Sequence, residues 1–261
     1  MAMLMLSFLA SPLLVSACRQ NASTAQTSRA PAVEALTEKR ILFAHQSVGA
    51  DIMAGIAERF TDEKMPLRIV QASDLPADGG YFAHAFNGGN GDFHGKLDDF
   101  ARLLAAGPGH GADIAIFKFC YLDLPADADA EGLFQRYRQR MGELEQTYPQ
   151  LRLIHCTVPL TRRQTGPKAW LKRLLERPVT GVEDNLVRAR FNDLLRHTYG
   201  DAVFDLAAAE STWPDGRREI VSRGEATGYA LVPDYTDDDG HLNRFGQQVV
   251  AERFLSFLLN L

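Results

Sequence analysis

The sequence predicts one α/β domain, a three-layer α/β/α sandwich with helices on both faces of a five-stranded, mainly parallel sheet. Short apolar runs of strand length alternate along the chain with segments whose apolar residues recur at helical spacing. Strands that alternate with helices in this way form parallel sheets with right-handed crossovers. The length of 261 residues and the 46% content of hydrophobic residues fit a single domain with an ample core.

The first half of the chain supplies three of the predicted strands. In chain order we expect strand 41–43, a helix from 48 to 60, strand 67–72, a glycine-rich loop that includes 87–92, helix 93–104 and strand 112–119. Loops as long as the one before residue 93 are typical of functional or disordered segments.

The second half adds two strands and the clearest helix. We expect helix 131–148, strand 151–158, a helical surface insertion within 161–182, helix 183–199, strand 202–206, a loop over 212–239 with a short edge strand at 229–232, and a final helix from 242 to 258. Asn185, Arg188 and Asn192 share one face of helix 183–199, and the polarity of a solvated surface explains them adequately.

The amino terminus predicts an exported protein. Residues 1–17 are apolar and too short for a confident membrane span, and Leu14 to Cys18 resembles the lipobox of bacterial lipoproteins. No Lys or Arg precedes this stretch, so a plain signal peptide or an uncleaved anchor stays open. We expect a signal peptide over 1–17, lipidation at Cys18, a flexible tether over 18–38, and a folded domain over 39–261 on the periplasmic side of the cell envelope.

Charge and cysteine content narrow the partners. The formal net charge is −5 and no run of Lys or Arg occurs, which argues against nucleic acid as a partner. Besides Cys18 the chain has Cys120 and Cys156, each at the end of a predicted strand. The oxidising environment outside the cytoplasm permits a disulfide between them if the protein is exported. Small buried thiols are the commoner outcome at such positions.

Ser47 lies at the junction of the first strand and the first helix. A serine in such a turn has its hydroxyl at the carboxyl edge of the sheet, where the N–H groups that open the helix can stabilise an oxyanion. A serine before a helix is also a common N-cap, so this position needs a partner before it indicates catalysis.

The partner stands just before the last helix. Asp238 and His241 are three positions apart in a turn, so the carboxylate can hold the imidazole in the tautomer that accepts a serine proton. Active sites of parallel sheets lie outside the carboxyl ends of the strands, and this turn falls on the same predicted edge as Ser47. The alternative is a solvated acidic helix start, which the helix dipole favours.

The sequence gives no reason to expect a metal or another cofactor. A calcium loop around the acidic run would need acids at Tyr235 and Gly246. The seven histidines have no paired spacing of the H-E-x-x-H kind.

These residues together resemble the SGNH (GDSL-type) hydrolases, which are esterases on a flavodoxin-like sandwich. The resemblance covers residues 40–260 and implies Ser47 as nucleophile, His241 as base and Asp238 as the acid that orients it. It also implies an oxyanion hole made by the N–H of Ser47, the side chain of Asn90 and the N–H of Gly91, with Gly89 as the alternative glycine.

Two blocks depart from that family. The first is HQSVG where the family has Gly-Asp-Ser, and the third is FCYLD where it has Gly-x-Asn-Asp. We therefore expect Asn90 to supply the asparagine donor from the second block, with His45, Tyr121 and Asp123 as substrate-binding residues. A purely structural role in the turns remains the alternative for these residues.

The predicted function is an exported serine esterase that removes an acyl group, such as acetyl, from a carbohydrate or another small ester of the cell envelope. Two alternatives stay open. One is a non-catalytic glycan-binding lipoprotein on the same fold, which the irregular first and third blocks favour. The other is an O-acyltransferase that uses the same triad. The oligomeric state and the natural substrate are not encoded in these patterns.

Overall fold

The computed structural model describes residues 36–62, 67–175, 177 and 179–261. Its central sheet has six strands in the order β2-β3-β1-β4-β5-β6, and every neighbouring pair is parallel. The strands are β1 (Arg40–His45), β2 (Ile69–Gln71), β3 (Tyr81–Phe86), β4 (Ile114–Phe117), β5 (Arg152–Cys156) and β6 (Val203–Phe204).

The predicted three-layer sandwich is confirmed, but the predicted strand count was wrong. The additional strand is β3, in a stretch that the sequence placed within a long loop. This strand directly follows Gly79 and Gly80, and only its first three residues are buried. The run of buried apolar residues that could indicate a strand is therefore short. Without the short edge strand β2, the order β3-β1-β4-β5-β6 is that of flavodoxin-like sheets.

Helices cover both faces of the sheet. They are α1 (Ser47–Asp62), α2 (Phe93–Ala105), α3 (Pro108–Gly111), α4 (Ala130–Thr147), α5 (Gly166–Leu174), α6 (Glu183–Tyr199), α7 (Leu206–Ser211) and α8 (Arg244–Leu259), with 3₁₀ turns at Tyr121–Asp123, Gly200–Ala202 and Pro233–Tyr235. Within the described ranges, no helix combines the length and apolar character needed to cross a bilayer.

Alternation along β1 divides the core into two layers. Ile41 and Phe43 face α1 and α8 on one side, whereas Leu42 and Ala44 face α2, α4 and α6 on the other. All four side chains are completely buried. Since successive side chains of a strand point to opposite faces, this run needs apolar residues at every position, as buried parallel strands do.

A second, antiparallel hairpin lies outside the main sheet. Its strands are β7 (Ile220–Arg223) and β8 (Ala226–Tyr229), so the edge strand expected at 229–232 instead ends at residue 229. The insertion predicted within 161–182 does contain a helix, α5.

The structure also bears on the expected start of the folded domain and on the two cysteines at strand ends. Leu36, which the sequence placed in the tether, is buried in the core beside α8. Cys120 and Cys156 are both free and buried, which fits small apolar residues at strand ends. The predicted signal peptide, Cys18 and most of the tether lie outside the described residues.

Candidate active site

Ser47 is the first residue of α1, directly after the carboxyl end of β1. Gln46 separates the strand from the helix, and the turn is closed by the N–H groups of Gly49 and Ala50, which both donate to its carbonyl. The helix packs so tightly on the strand end that a Cβ at Gly49 would lie 2.3 Å from the Cβ of His45. Only glycine fits at that position, so the chain must turn sharply and present the serine at the sheet edge.

The serine, histidine and aspartate form one continuous hydrogen-bonded relay. The Ser47 hydroxyl lies 2.9 Å from Nε2 of His241, and Nδ1 of His241 lies 2.6 Å from Oδ2 of Asp238. With the proton on Nδ1, that nitrogen donates to the carboxylate and Nε2 is free to accept the serine proton. Two residues that are 194 positions apart in the chain thus meet in the geometry that nucleophilic catalysis requires.

The other oxygen of Asp238 is held by the backbone of its own turn. Oδ1 accepts the N–H of His241 at 2.8 Å and that of Gly240 at 3.1 Å. The hydrogen bond from the His241 ring, together with these N–H groups, lowers the pKa of Asp238 well below its usual range. The carboxylate therefore stays ionised, and its two oxygens are fixed by different partners.

The turn that carries Asp238 and His241 contains a residue with a strained backbone, Asp239, and Arg162 contacts it. Asp239 has a φ of 77°, in the left-handed region that non-glycine residues rarely adopt. The N–H of Arg162 donates to the Asp239 carbonyl at 2.8 Å, and the Arg162 Nε lies 2.5 Å from its Oδ1. Strain of this kind persists only where the surroundings hold it, and here it lies between the acid and the base of the relay.

A second carboxylate, that of Asp51, links the turn that carries His241 to helix α1. Asp51 lies one helical turn after Ser47, and its Oδ2 accepts the N–H of Leu242 at 3.0 Å. Burial raises the pKa of Asp51, although the bond from Leu242 and the nearby His241 oppose that rise. This bond fixes the residue next to His241 relative to Ser47, a role that the sequence gave no reason to expect.

The donors that could face an oxyanion differ in their availability. The N–H of Ser47 opens α1, and the first N–H groups of a helix have no partner within it. Asn90 is exposed, and its Oδ1 accepts from Lys96 Nζ at 3.1 Å, which leaves its amide nitrogen as a donor. The N–H of Gly91 already donates to Asp123 Oδ1 at 2.8 Å. Among the described residues, the N–H of Gly91 is thus engaged, whereas Ser47 and Asn90 each keep a donor available.

Asp123 is a structural residue of this loop rather than a residue that contacts substrate. Its side chain is completely inaccessible and lies 2.8 Å from the equally inaccessible Lys96 Nζ. It also accepts the N–H of Cys120 at 2.7 Å and that of Gly91. Paired charges with satisfied hydrogen bonds are the usual form in which ions are buried. The expectation that Asp123 binds substrate was therefore wrong, because no part of its carboxylate reaches solvent.

His45 is likewise not placed to contact substrate. Its ring is fully buried at the end of β1, with Nδ1 2.9 Å from the Gln46 carbonyl and Nε2 3.1 Å from Nδ1 of His84. Burial lowers the pKa of His45 to about 3. The imidazole is therefore neutral and packs under the turn that carries Ser47, which corrects the prediction of a substrate-binding role.

Tyr121 is the one predicted pocket residue that faces the relay. Its half-buried ring lies edge-on to the His241 ring, with 6.1 Å between centroids. Gly240 makes this approach possible, since a Cβ there would lie 2.8 Å from the Tyr121 ring. The guanidinium of Arg188 lies 5.8 Å from the centroid of the same ring. Tyr121 thus lies beside the His241 ring, at the part-exposed end of the relay.

The polar face of α6 is buried, in contrast to the solvated surface that the sequence predicted. The Asn192 side-chain amide accepts the N–H of Val158 at 2.7 Å and donates to the carbonyl of the same residue at 3.0 Å. The Asn185 amide does the same at Thr161, at 3.1 and 2.7 Å. Each side chain pairs with one residue of the segment after β5 as a neighbouring strand would. The two asparagines are seven residues apart, which places them on one face of the helix. This spacing was the sequence feature that could have indicated their shared role.

Two further charged groups are buried under the same edge. Lys118 donates to the Phe119 carbonyl at 2.9 Å, and Glu210 accepts the N–H of Leu160 at 2.6 Å. Burial raises the pKa of Glu210 to about 8, opposed by the Leu160 bond and by Lys118. Burial lowers the pKa of Lys118. The inclusion of Lys118 in a predicted buried strand was the only sequence signal for this pair.

Comparisons with known proteins give only distant similarity to solved structures. No family model and no curated protein matches the chain. A solved structure described as a platelet activating factor from Streptococcus pneumonia is 14% identical, with coverage of 95% of this chain and 100% of the other and a TM-score of 0.49. The periplasmic domain of a lipopolysaccharide acetyltransferase from Salmonella ser. Paratyphi A is 9% identical, covers 87% of each chain and has a TM-score of 0.47.

A peptidoglycan O-acetylesterase is also similar, at 14% identity and a TM-score of 0.44. It covers 69% of this chain and 46% of its own length. Similarity at this level carries no argument about the activity of this protein, because one fold hosts many functions. The chemistry of this protein therefore has to be inferred from its own side chains.

Proposed function

We propose that this protein is a serine esterase in which Ser47, His241 and Asp238 form the catalytic triad. The observation that carries the proposal is the continuous relay from the Ser47 hydroxyl through the His241 ring to Asp238, at 2.9 and 2.6 Å. A serine that only caps a helix has no need of an oriented histidine. The five buried residues of β1 from Ile41 to His45 and the tight turn at Gly49 hold the nucleophile on a rigid support.

In the proposed mechanism the Ser47 oxygen attacks the ester carbonyl while Nε2 of His241 takes its proton. Asp238 stabilises the imidazolium that forms. The N–H of Ser47 and the amide of Asn90 stabilise the oxyanion, with Lys96 holding Asn90 by its other end. His241 then protonates the leaving alcohol, which departs and leaves an acyl group on Ser47. Water activated by the same nitrogen hydrolyses that acyl-enzyme and returns Ser47 to its hydroxyl form.

We propose a small acyl group, acetyl in the first instance, on a carbohydrate as the substrate. The relay lies at the surface, with about 42% of the His241 side chain and 56% of the Asp238 side chain exposed. Such an open position suits an ester that projects from a larger molecule. The half-buried Tyr121 ring beside His241 offers an aromatic platform for a sugar face.

The test is hydrolysis of p-nitrophenyl acetate and p-nitrophenyl butyrate by the fragment that starts at Leu36, compared with Ser47→Ala. Labelling by a fluorophosphonate probe is the second readout. We expect turnover and labelling in the wild-type fragment and neither in the variant, with acetate preferred over butyrate. A folded wild-type fragment without turnover or labelling would contradict the proposal and favour a glycan-binding protein. Acyl transfer to an added sugar in place of acetate release would identify a transferase.

The cell envelope is the proposed location, with the chain anchored through Cys18. This part of the proposal rests on the residues from Leu14 to Cys18 and on no structural feature. Metabolic labelling with palmitate in a bacterial host tests it. Label that enters the wild-type chain and not Cys18→Ala is the expected result, and equal labelling of both would contradict the proposed anchor.

A further inference from the structure

A cleft of about 660 Å³ opens between the segment that carries α5 and the β7–β8 hairpin. Three arginines line it, together with one acid and a few small or apolar residues: Arg163, Arg177, Arg223, Glu183, Val179, Val182 and Ser222. The whole chain has a formal net charge of −5, so a cleft with three cations runs against the charge of the molecule.

The acid in this cleft is already engaged by other groups. Oε1 of Glu183 lies 2.5 Å from Nη1 of Arg223, and its Oε2 accepts the N–H of Val179 at 2.8 Å. Among the described residues, Glu183 makes no ion pair with Arg163 or Arg177. Glu183 positions Arg223 at the wall of the cleft and leaves its remaining N–H donors for a ligand.

Donors remain unpaired on the opposite wall. Arg163 contacts Glu219 through Nη2 at 3.3 Å, but its Nε is buried and has no hydrogen-bond partner among the described residues. The guanidinium of Arg177 is exposed and likewise has no ion-pair partner within the part of the chain that is described. The exposed Arg177 guanidinium is therefore a donor that an oxygen-rich group could meet on entering this cleft.

The cleft adjoins the catalytic turn through one short segment. Arg162, directly before Arg163, binds the backbone and the carboxylate of Asp239, and Asp239 follows Asp238 of the relay. Gln164, which follows Arg163, donates its N–H to the Thr180 carbonyl at 2.9 Å. This bond joins the two ends of the segment that carries α5. Successive side chains of this segment thus serve the two sites, with Arg162 at the catalytic turn and Arg163 in the cleft.

We propose that this arginine cleft binds an oxyanion substituent, carboxylate or phosphate, on the glycan whose ester is cleaved at Ser47. The inference deepens the proposed function and rests on it, because it makes the substrate an acidic glycan. Arginine binds carboxylate and phosphate through two parallel N–H···O bonds, and three guanidinium groups around one cleft supply that geometry. A neutral ester would use the triad alone and would gain nothing from the cleft.

The test compares acidic and neutral esters that are otherwise identical. The first pair is O-acetylated trigalacturonic acid and the same trisaccharide with its carboxylates converted to amides. The second pair is O-acetylated glucose 6-phosphate and O-acetylated glucose. Acetate release gives kcat/KM for each, in the wild-type protein and in Arg177→Gln and Arg223→Gln. Arg190→Gln is the matched control, because Arg190 is an exposed arginine paired with Glu131 away from the cleft.

We expect the wild-type protein to prefer one acidic ester over its neutral partner by about tenfold or more, since hydrogen bonds to charged groups are worth about that factor. Arg177→Gln and Arg223→Gln should each reduce this preference severalfold through KM, and Arg190→Gln should retain it. A preference within the trigalacturonate pair would identify carboxylate as the bound group, and a preference within the glucose pair would identify phosphate. Equal values for acidic and neutral members of both pairs would overturn the proposal, as would a preference that survives in both cleft variants.

A binding experiment distinguishes failure of the proposed esterase activity from failure of the proposed cleft. If no ester releases acetate, calorimetric titration of the protein with trigalacturonate and with glucose 6-phosphate still tests the cleft. Binding of either that is weakened at least severalfold in Arg177→Gln and kept in Arg190→Gln supports the cleft without catalysis. No binding of either probe overturns it.

Discussion

The molecule contains two aspartates that each pair with a cationic or titratable partner at the same edge of the sheet, and they differ in exposure. Asp238 and His241 form an exposed pair in a turn, with 56% and 42% of their side chains accessible. Asp123 and Lys96 form a pair at a similar separation that is completely inaccessible. The exposed pair is free to exchange a proton with a substrate, whereas the buried pair is not.

The buried pair instead fixes the loop that supports the first. Lys96 holds Asn90, and Asp123 holds the backbone of Gly91 and Cys120. Transfer of two charges out of water is unfavourable and is tolerated only when every oxygen and proton is satisfied. We therefore expect substitutions in the exposed pair to change catalysis with little effect on folding, and substitutions in the buried pair to lower the free energy of unfolding.

Loss of the base is the change with the largest expected effect. His241→Ala removes the group that takes the serine proton, and we expect kcat on p-nitrophenyl acetate to fall by about 10⁴-fold or more, as in other triads. The free energy of unfolding in urea should change by less than about 1 kcal/mol, because the side chain is part-exposed. A variant that keeps more than about a tenth of wild-type activity would contradict His241 as the base.

Removal of the charge on Asp238 is expected to have the next largest effect. Asp238→Asn retains the shape of the side chain but presents an amide that favours the wrong tautomer of His241, and kcat should fall by about 10²- to 10⁴-fold. The matched control is Asp237→Asn, one residue earlier and exposed. We expect that control to stay within about threefold of wild type, and equal losses in the two variants would contradict the role given to Asp238.

The buried pair should show the opposite signature. Asp123→Asn leaves the Lys96 charge without its partner in a fully inaccessible site, and breaking such pairs lowers the free energy of unfolding by about 3–5 kcal/mol. Asp238→Asn should lower it by less than about 1 kcal/mol, since the pair is exposed. Urea unfolding followed by circular dichroism measures both. Similar losses in the two variants would contradict the division between the exposed and the buried pair.

The same contrast explains which features the sequence could predict. The relay residues could be found because Ser47 lies where a local pattern changes from strand to helix and because Asp238 and His241 are only three positions apart. Their joint position followed from the rule that the carboxyl ends of parallel strands share one edge. Local spacing and a topological rule were sufficient for these three residues.

The buried polar network could not be predicted in this way. Asp123 pairs with a lysine 27 positions earlier, and Asn192 pairs with a residue 34 positions earlier. Such contacts depend on how α2 and α6 pack, which periodicity does not encode. Strand β3 was missed for a related reason, because its outer half is only partly buried and its apolar pattern is short.

Glu210 is a buried acid that makes no ion pair among the described residues, although Lys118 and Arg188 lie near enough to oppose the rise of its pKa. Glu210 accepts one backbone N–H from Leu160, and its other oxygen has no hydrogen-bond partner among the described residues. Burial raises its pKa from the ordinary value of 4.5 to about 8. Between these two pH values the folded chain holds a proton that the unfolded chain has released, so Glu210 contributes less stability as the pH rises toward 8.

Glu210→Gln removes this titration while keeping the shape of the side chain and an oxygen for Leu160. We expect the free energy of unfolding of the wild-type protein, measured relative to that variant, to fall by about 1 kcal/mol or more between pH 6 and pH 8. Urea unfolding of both proteins at these two pH values is the measurement. The charge of Glu210 also raises the pKa values of Lys118 and Arg188, so the difference reports the Glu210 carboxyl together with its effect on these two neighbours. A difference that stays constant would mean that Glu210 is ionised throughout and is held by those two cations, as Asp123 is held by Lys96.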